Sequence, residues 1–201
     1  MHIEKGIHIM KALEDKIIKE GQVVSDSILK VGSFLNQQLD PAFMHEMGKE
    51  INRLFKDCGV TKVLTIEASG IAIALAAAYY MGVPAVFAKK SKSSNVAHDV
   101  LTANVKSFTR GINYEICVSS EYITKDDTVL IVDDFLASGN AICGLIELTE
   151  SAGAKVAGVS VAIEKGFQKG GDDLRTRGIK LESLAIVDEM SENSIKFRIN
   201  N

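Results

Sequence analysis

The chain has 201 residues, 46% hydrophobic and 24% charged, with only 16 Gly and 2 Pro. That balance fits one folded domain and excludes a disordered or low-complexity chain. A formal net charge of -3 excludes global attraction to nucleic acid, and the longest apolar run, residues 71–81, is far short of the ~20 residues that a bilayer requires, so neither a nucleic-acid nor a membrane partner is expected.

The cysteines Cys58, Cys117 and Cys143 are odd in number and form no C-x-x-C pair, the usage of free thiols in a reducing cytosol. The N-terminus carries Glu4, Glu14 and Asp15 and no apolar stretch of the signal-peptide kind, so a cytoplasmic location is expected. Met10 is a second candidate start, which would make residues 1–9 an extension.

In chain order, residues 12–20 read as a short amphipathic helix ended by Gly21. Asp40-Pro41 is a helix start, with Asp as cap and Pro in the first helical position. Phe43, Met44, Met47, Ile51, Leu54 and Phe55 then line one helical face until Gly59. Residues 62–67 form a strand, 70–81 an Ala-rich helix and 84–88 a second strand. Residues 91–125 are polar, with strand-like pieces at 101–108 and 113–118, and read as a β hood inserted into the core. The rhythm resumes with a strand at 128–133, a helix at 140–151 and an apolar strand at 156–164. Continuous apolar strands alternating with helices define an α/β fold whose central, mostly parallel sheet is flanked by helices. The N-terminal part and the tail after Ile179 are read as a small lobe beside that sheet. The whole chain, 1–201, is expected to be a single domain, with its core at about 40–165, the hood at about 91–125 and the lobe from about 10–40 and 166–201.

The most informative stretch is Val129-Leu130-Ile131-Val132-Asp133-Asp134-Phe135-Leu136-Ala137-Ser138-Gly139-Asn140-Ala141. A buried strand leads to two carboxylates, then a small-residue turn, then a helix. Asp133 and Asp134 can accept hydrogen bonds from vicinal hydroxyls. The backbone N–H groups of Ala137, Ser138, Gly139, Asn140 and Ala141 can curl around a phosphate, assisted by the helix dipole. A ribose 5-phosphate fits both halves; an ordinary strand–turn–helix with Asp at the turn is the alternative. There is no G-x-x-x-x-G-K-[ST] and no G-x-G-x-x-G. His45-Glu46 is followed by Lys49 where a zinc protease needs His, and Ser69 lacks the preceding glycine of a nucleophile elbow.

The stretch resembles the signature for 5-phosphoribosyl 1-pyrophosphate (PRPP) of the type I phosphoribosyltransferases. Ala141 departs from the Thr common there, which removes a hydroxyl but leaves the backbone donors. The resemblance implies a type I phosphoribosyltransferase fold with a flexible hood, catalytic Asp133 and Asp134, and a PRPP loop at 137–141. It implies a pyrophosphate site at Ala68, Ser69 and Gly70, where small residues meet a helix N-terminus, joined by Lys90 and Lys92 and to a lesser degree Lys89. It further implies Mg2+ bound through PRPP rather than in a dedicated protein cage, and a homodimer.

Residues 25–41 and 132–137 resemble the bacterial xanthine phosphoribosyltransferase group, and the similarity runs from about 10 to 197. That resemblance implies base contacts from Leu29, Asn36 and Lys165. A lysine at Lys165 donates to a purine 6-oxygen and disfavours adenine, and Phe167 can stack on the ring. The implied reaction moves the phosphoribosyl group to nitrogen 9 of xanthine in purine salvage, giving xanthosine 5'-monophosphate and pyrophosphate. Because an amide can flip, Asn36 also admits guanine, so a guanine/hypoxanthine enzyme stays open. A PRPP-sensing regulator on the same fold would want a basic face or a helix-turn-helix, and the roughly 60 residues before the core are not basic.

Overall fold

The computed structural model describes residues 10–91, 100–106, 113–192 and 194–199. Helix α1 (Lys11–Glu20), a hairpin of β1 (Gln22–Ser25) and β2 (Ile28–Lys30), and a π-helical turn (Gly32–Asn36) come first. The Asp40 carboxylate then accepts from the Phe43 N–H at 3.1 Å, and Pro41 occupies a position whose N–H would have no helical partner, so α2 (Pro41–Phe55) starts where its cap dictates. It ends at Phe55 rather than Gly59, because the Cys58 N–H turns back onto the Phe55 carbonyl.

The core continues through β3 (Lys62–Ile66), α3 (Gly70–Met81), β4 (Ala85–Ser91), β5 (Val100–Lys106), β6 (Asn113–Ser119), β7 (Thr128–Leu136), α4 (Asn140–Ser151) and β8 (Lys155–Lys165). Helix α5 (Gly170–Thr176) and strands β9 (Leu181–Ser191) and β10 (Ser194–Phe197) complete it. The central sheet has the order β10-β9-β8-β7-β3-β4-β6-β5. Neighbours from β9 to β4 are parallel, and the outer pairs are antiparallel. Strands β3, β7 and β8 are buried almost throughout, which accounts for their unbroken apolar sequences.

Three features differ from the expectation. The tail does not stand beside the sheet: β9 pairs in parallel with β8, and β10 pairs antiparallel with β9. Strand β4 runs on to Ser91 because Lys89, Lys90 and Ser91 pair with Cys117, Ile116 and Glu115 of the hood strand β6. Strand β7 runs past Asp133 to Leu136, since β8 is long enough to pair with Phe135 and Leu136. The hood strands β5 and β6 thus form one edge of the main sheet.

Two apolar clusters cover the sheet. One gathers α1, the π-helical turn, α2 and α3; the other gathers α4 and the hood strands. Helices α2 and α3 meet backbone to backbone, because a Cβ at Gly48 would stand 2.5 Å from the Ala76 carbonyl carbon. That close approach requires a small residue at Ala76. The cysteines are free thiols in separate environments, with Cys117 buried and Cys143 exposed. No helix among the described residues is long and apolar enough to cross a membrane.

Strand β3 leads on to β4 on one side, while β7 lies on its other side. The strand order therefore reverses between β3 and β7, and the loops at their carboxyl ends open into the same crevice. In open α/β sheets that crevice is where ligands bind.

Candidate active site

Asp133 and Asp134 occupy the buried carboxyl-terminal part of β7, 5% and 8% exposed. The Asp134 N–H donates to Asp133 Oδ1 at 2.9 Å. Burial pushes the Asp133 carboxyl well above the ordinary carboxylate range, and the charge of Asp134 pushes it the same way, while the Lys90 ammonium opposes the shift. Two acids at one strand end, one of them reluctant to ionise, suit a site that receives a hydroxyl-rich ligand with cationic character.

Beyond β7 the chain turns through Ala137 and Ser138 to Gly139, whose φ of 81° lies in the left-handed region that favours glycine. The Cys143 N–H donates to the Gly139 carbonyl at 2.8 Å, which begins the helical ladder of α4. The N–H groups of a first helical turn have no intrahelical acceptor, so those at Asn140 and Ala141 are suited to an anion. The Asn140 side chain donates to the Lys106 carbonyl at 2.7 Å and ties the loop to hood strand β5. A cavity of about 420 Å³ opens between this loop and α5, with Ser138, Asn140, Cys143 and Arg177 among its walls.

The loop after β3 stands alongside. Its Glu67–Ala68 peptide bond is cis, and Ser69 leads into α3 at Gly70. A Cβ at Gly70 would lie 2.8 Å from Asp133 Oδ1 and would also overlap Thr65 Oγ1. The two loops therefore meet at Asp133. Lys90 joins them: its N–H donates to Glu67 Oε1 at 2.7 Å, and its ammonium lies 5.6 Å from the centre of the Tyr114 ring. Lys89 lies on the same strand; Lys92 lies outside the described residues.

The lobe residues reach the same crevice. Asn36 ends the π-helical turn, and its Nδ2 donates to Asp134 Oδ2 at 3.3 Å. Lys165 ends β8; its Nζ donates to the Ser27 carbonyl at 2.8 Å and lies 5.8 Å from the centre of the Phe135 ring. Burial lowers the pKa of Lys165 below the ordinary 10.5. One proton of that ammonium meets Ser27, which leaves donors for a ligand. Leu29 is buried in the larger apolar cluster, paired across the hairpin with Val23. Phe167 is 40% exposed just beyond Lys165.

Three contacts at this site had no signal in the sequence. They are the Asn36–Asp134 hydrogen bond, the Thr65 hydroxyl beneath Gly70, and the seat of Lys165 on Ser27. Thr65 Oγ1 is buried without a hydrogen-bond partner among the described residues. Among those residues no group of three or more His, Cys, Asp or Glu side chains is arranged to hold a metal.

A parallel core with two anion-suited loops at its switch point, one of them preceded on its strand by paired acids, suits a sugar-phosphate transferase. The phosphoribosyl transferase domain model matches residues 40–193, and the chain belongs to that family. The chain is 49% identical over 188 residues to a xanthine phosphoribosyltransferase of Ruminiclostridium cellulolyticum, covering 94% of this chain and 99% of the relative. It is 51% identical over 190 residues to the xanthine phosphoribosyltransferase of Clostridioides difficile, covering 94% of this chain and all of the relative. Among solved structures, the adenine phosphoribosyltransferase of Giardia lamblia superposes with a TM-score of 0.71 at 24% identity over 87% of this chain and 96% of that one, which speaks to fold.

Proposed function

We propose that the protein transfers the 5-phosphoribosyl group of PRPP to nitrogen 9 of xanthine, forming xanthosine 5'-monophosphate and releasing pyrophosphate. The observation that carries this reading is the hydrogen bond from Asn36 to Asp134. It places an amide of the N-terminal lobe directly beside the acids assigned to the ribose, where a base must sit to attack the sugar. The names of the close relatives support xanthine as that base.

In this reading the loop at Ala137, Ser138, Gly139, Asn140 and Ala141 holds the 5-phosphate through backbone donors. Asp133 and Asp134 take the ribose hydroxyls, and the charge of Asp134 steadies the oxocarbenium-like carbon as the bond to pyrophosphate lengthens. Ala68, Ser69, Gly70 and Lys90 receive the departing pyrophosphate, with Lys92 as a further cation from the hood. Lys165 donates to one oxygen of xanthine and Asn36 to the other, while Leu29 and Phe167 flank the ring. Alignment and electrostatics supply the rate, without a covalent enzyme intermediate. Magnesium would be held by the PRPP oxygens, with water completing its shell, and would neutralise charge on the leaving group.

A cytoplasmic homodimer completes the proposal. Leu75, Tyr79 and Tyr80 of α3 are exposed, and both tyrosine rings pack edge-on against His45 of α2. An aromatic patch of this kind suits burial against a second copy.

The test is an assay of the protein with PRPP, Mg2+ and each of xanthine, guanine, hypoxanthine and adenine in turn, following nucleotide and pyrophosphate. Xanthosine monophosphate from xanthine, at a kcat/KM above that for the other bases, is expected. Preference for guanine or hypoxanthine would move the assignment to their enzyme, and consumption of no base would overturn it.

A further inference from the structure

We propose that Glu164 and Arg175 are positioning residues: their ion pair fixes helix α5, and through α5 the sugar-phosphate loop, relative to the strand end that carries Lys165. This rests on the function proposed above.

Glu164 lies at the end of β8, 1% exposed. Its carboxylate takes Arg175 NH1 at 2.7 Å and NH2 at 2.6 Å, together with the Ser183 hydroxyl of β9. A fork-on-carboxylate pair admits essentially one orientation of the guanidinium. Such a pair adds little net stability over apolar side chains of the same volume, because both charges lose their hydration. What it supplies here is a fixed geometry.

That geometry is transmitted by contact. Arg175 belongs to α5, and α5 is wedged between Glu164 and the loop after β7. A Cβ at Gly171 would overlap Glu164 Oε1. A Cβ at Gly170 would overlap the Ala137 carbonyl and lie 2.7 Å from the Gly139 N. The Gly170 N–H donates to the Ala137 carbonyl at 3.2 Å. With glycine on both sides there is no compressible side chain in the wedge, so a displacement of α5 becomes a displacement of Ala137 to Gly139. Lys165, next in sequence to Glu164, shares the same anchor. The pair thereby sets the distance between the residue assigned to the base and the loop assigned to the phosphate. On its other side, α5 is held by buried Leu174 in the second apolar cluster, so the helix keeps an attachment when the pair is removed.

Arg175→Met tests this, since it retains much of the stem and removes the fork. Affinity for Mg-PRPP is measured by calorimetry on the intact protein without base, and KM for PRPP and for xanthine by steady-state kinetics. A misplacement of about 1 Å caused by a mutation remote from the chemistry can cost about a hundredfold, and a smaller one less. We expect the Kd and KM for PRPP to rise by about tenfold or more on that basis, with the KM for xanthine changing far less, and Arg175→Lys to recover part of the loss. A folded Arg175→Met protein that binds Mg-PRPP as tightly as the wild type overturns the inference. So does a variant whose KM for PRPP and KM for xanthine rise equally. Should Arg175→Met fail to fold, Arg175→Lys, which keeps a cation but cannot form both bonds, faces the same two outcomes. Wild-type protein that binds no Mg-PRPP would refute the proposed function itself, which separates the two failures.

Discussion

Asp134→Asn is expected to lower kcat for xanthosine monophosphate formation by about 10²–10³-fold, the usual cost of removing one preorganised group aimed at transition-state charge, while the folded structure survives. Asn matches Asp in shape and keeps one oxygen to accept from Asn36 Nδ2, now 3.3 Å from the carboxylate. What disappears is a negative charge in a nearly buried strand position. In the free protein that charge is a burden, since it helps push Asp133 away from ionisation. Its removal therefore should not weaken the fold. In the reaction the same charge faces a carbon that becomes cationic, and low exposure strengthens the interaction. Steady-state turnover with saturating PRPP and xanthine, alongside a thermal melt, checks both halves. Unchanged kcat would remove Asp134 from the chemistry; loss of kcat with loss of fold would make it structural.

Lys165→Ala should lower kcat/KM for xanthine substantially while leaving affinity for PRPP nearly intact. A hydrogen bond to a charged group is worth roughly 1.5–3 kcal/mol, which corresponds to about 10- to 150-fold in kcat/KM at about 1.4 kcal/mol per decade. The loss falls on the base because Lys165 sits at the end of β8 beside Phe135 and the hairpin turn, with its Nζ on the Ser27 carbonyl, whereas the PRPP loop follows β7. The variant also removes a cation that burial has already made easier to deprotonate. In the wild type, xanthine kcat/KM is accordingly expected to decline on the alkaline side at a pH below the ordinary lysine range. Persistent xanthine turnover with weakened PRPP binding would assign Lys165 to the other substrate.

Helices α3 and α4 fall on the bounds that their sequences predict, because each is bracketed by local punctuation: Gly70 and Gly82 for one, Gly139 and Gly153 for the other. The apolar strands were legible for a similar reason, since burial on both faces leaves no polar alternation. Helix α5 was not. Its sequence Gly170-Gly171-Asp172-Asp173-Leu174-Arg175-Thr176 has weak helix propensity, and the Glu164–Arg175 pair that ties it to β8 joins separate elements. The place of β9 in the sheet was equally hidden, because a parallel pairing with β8 leaves no turn signal. The candidate site divides in the same way. Asp133, Asp134 and the loop at 137–141 form one local motif whose chemistry can be read from residue types. Asn36 and Asp134 lie 98 positions apart, and no spacing rule connects them; only the family resemblance pointed to Asn36. Arg175 carried neither a local motif nor a resemblance, and its part emerges from packing alone.

The proposed reaction requires β7 and the turn after it to receive the sugar phosphate. A crystal structure of the protein with Mg-PRPP measures this directly. The 5-phosphate is expected on the backbone N–H groups from Ala137 to Ala141, the ribose hydroxyls on Asp133 and Asp134, and the pyrophosphate beside Ala68, Ser69, Gly70 and Lys90. PRPP bound with its phosphate elsewhere, and those N–H groups left to water, would contradict it.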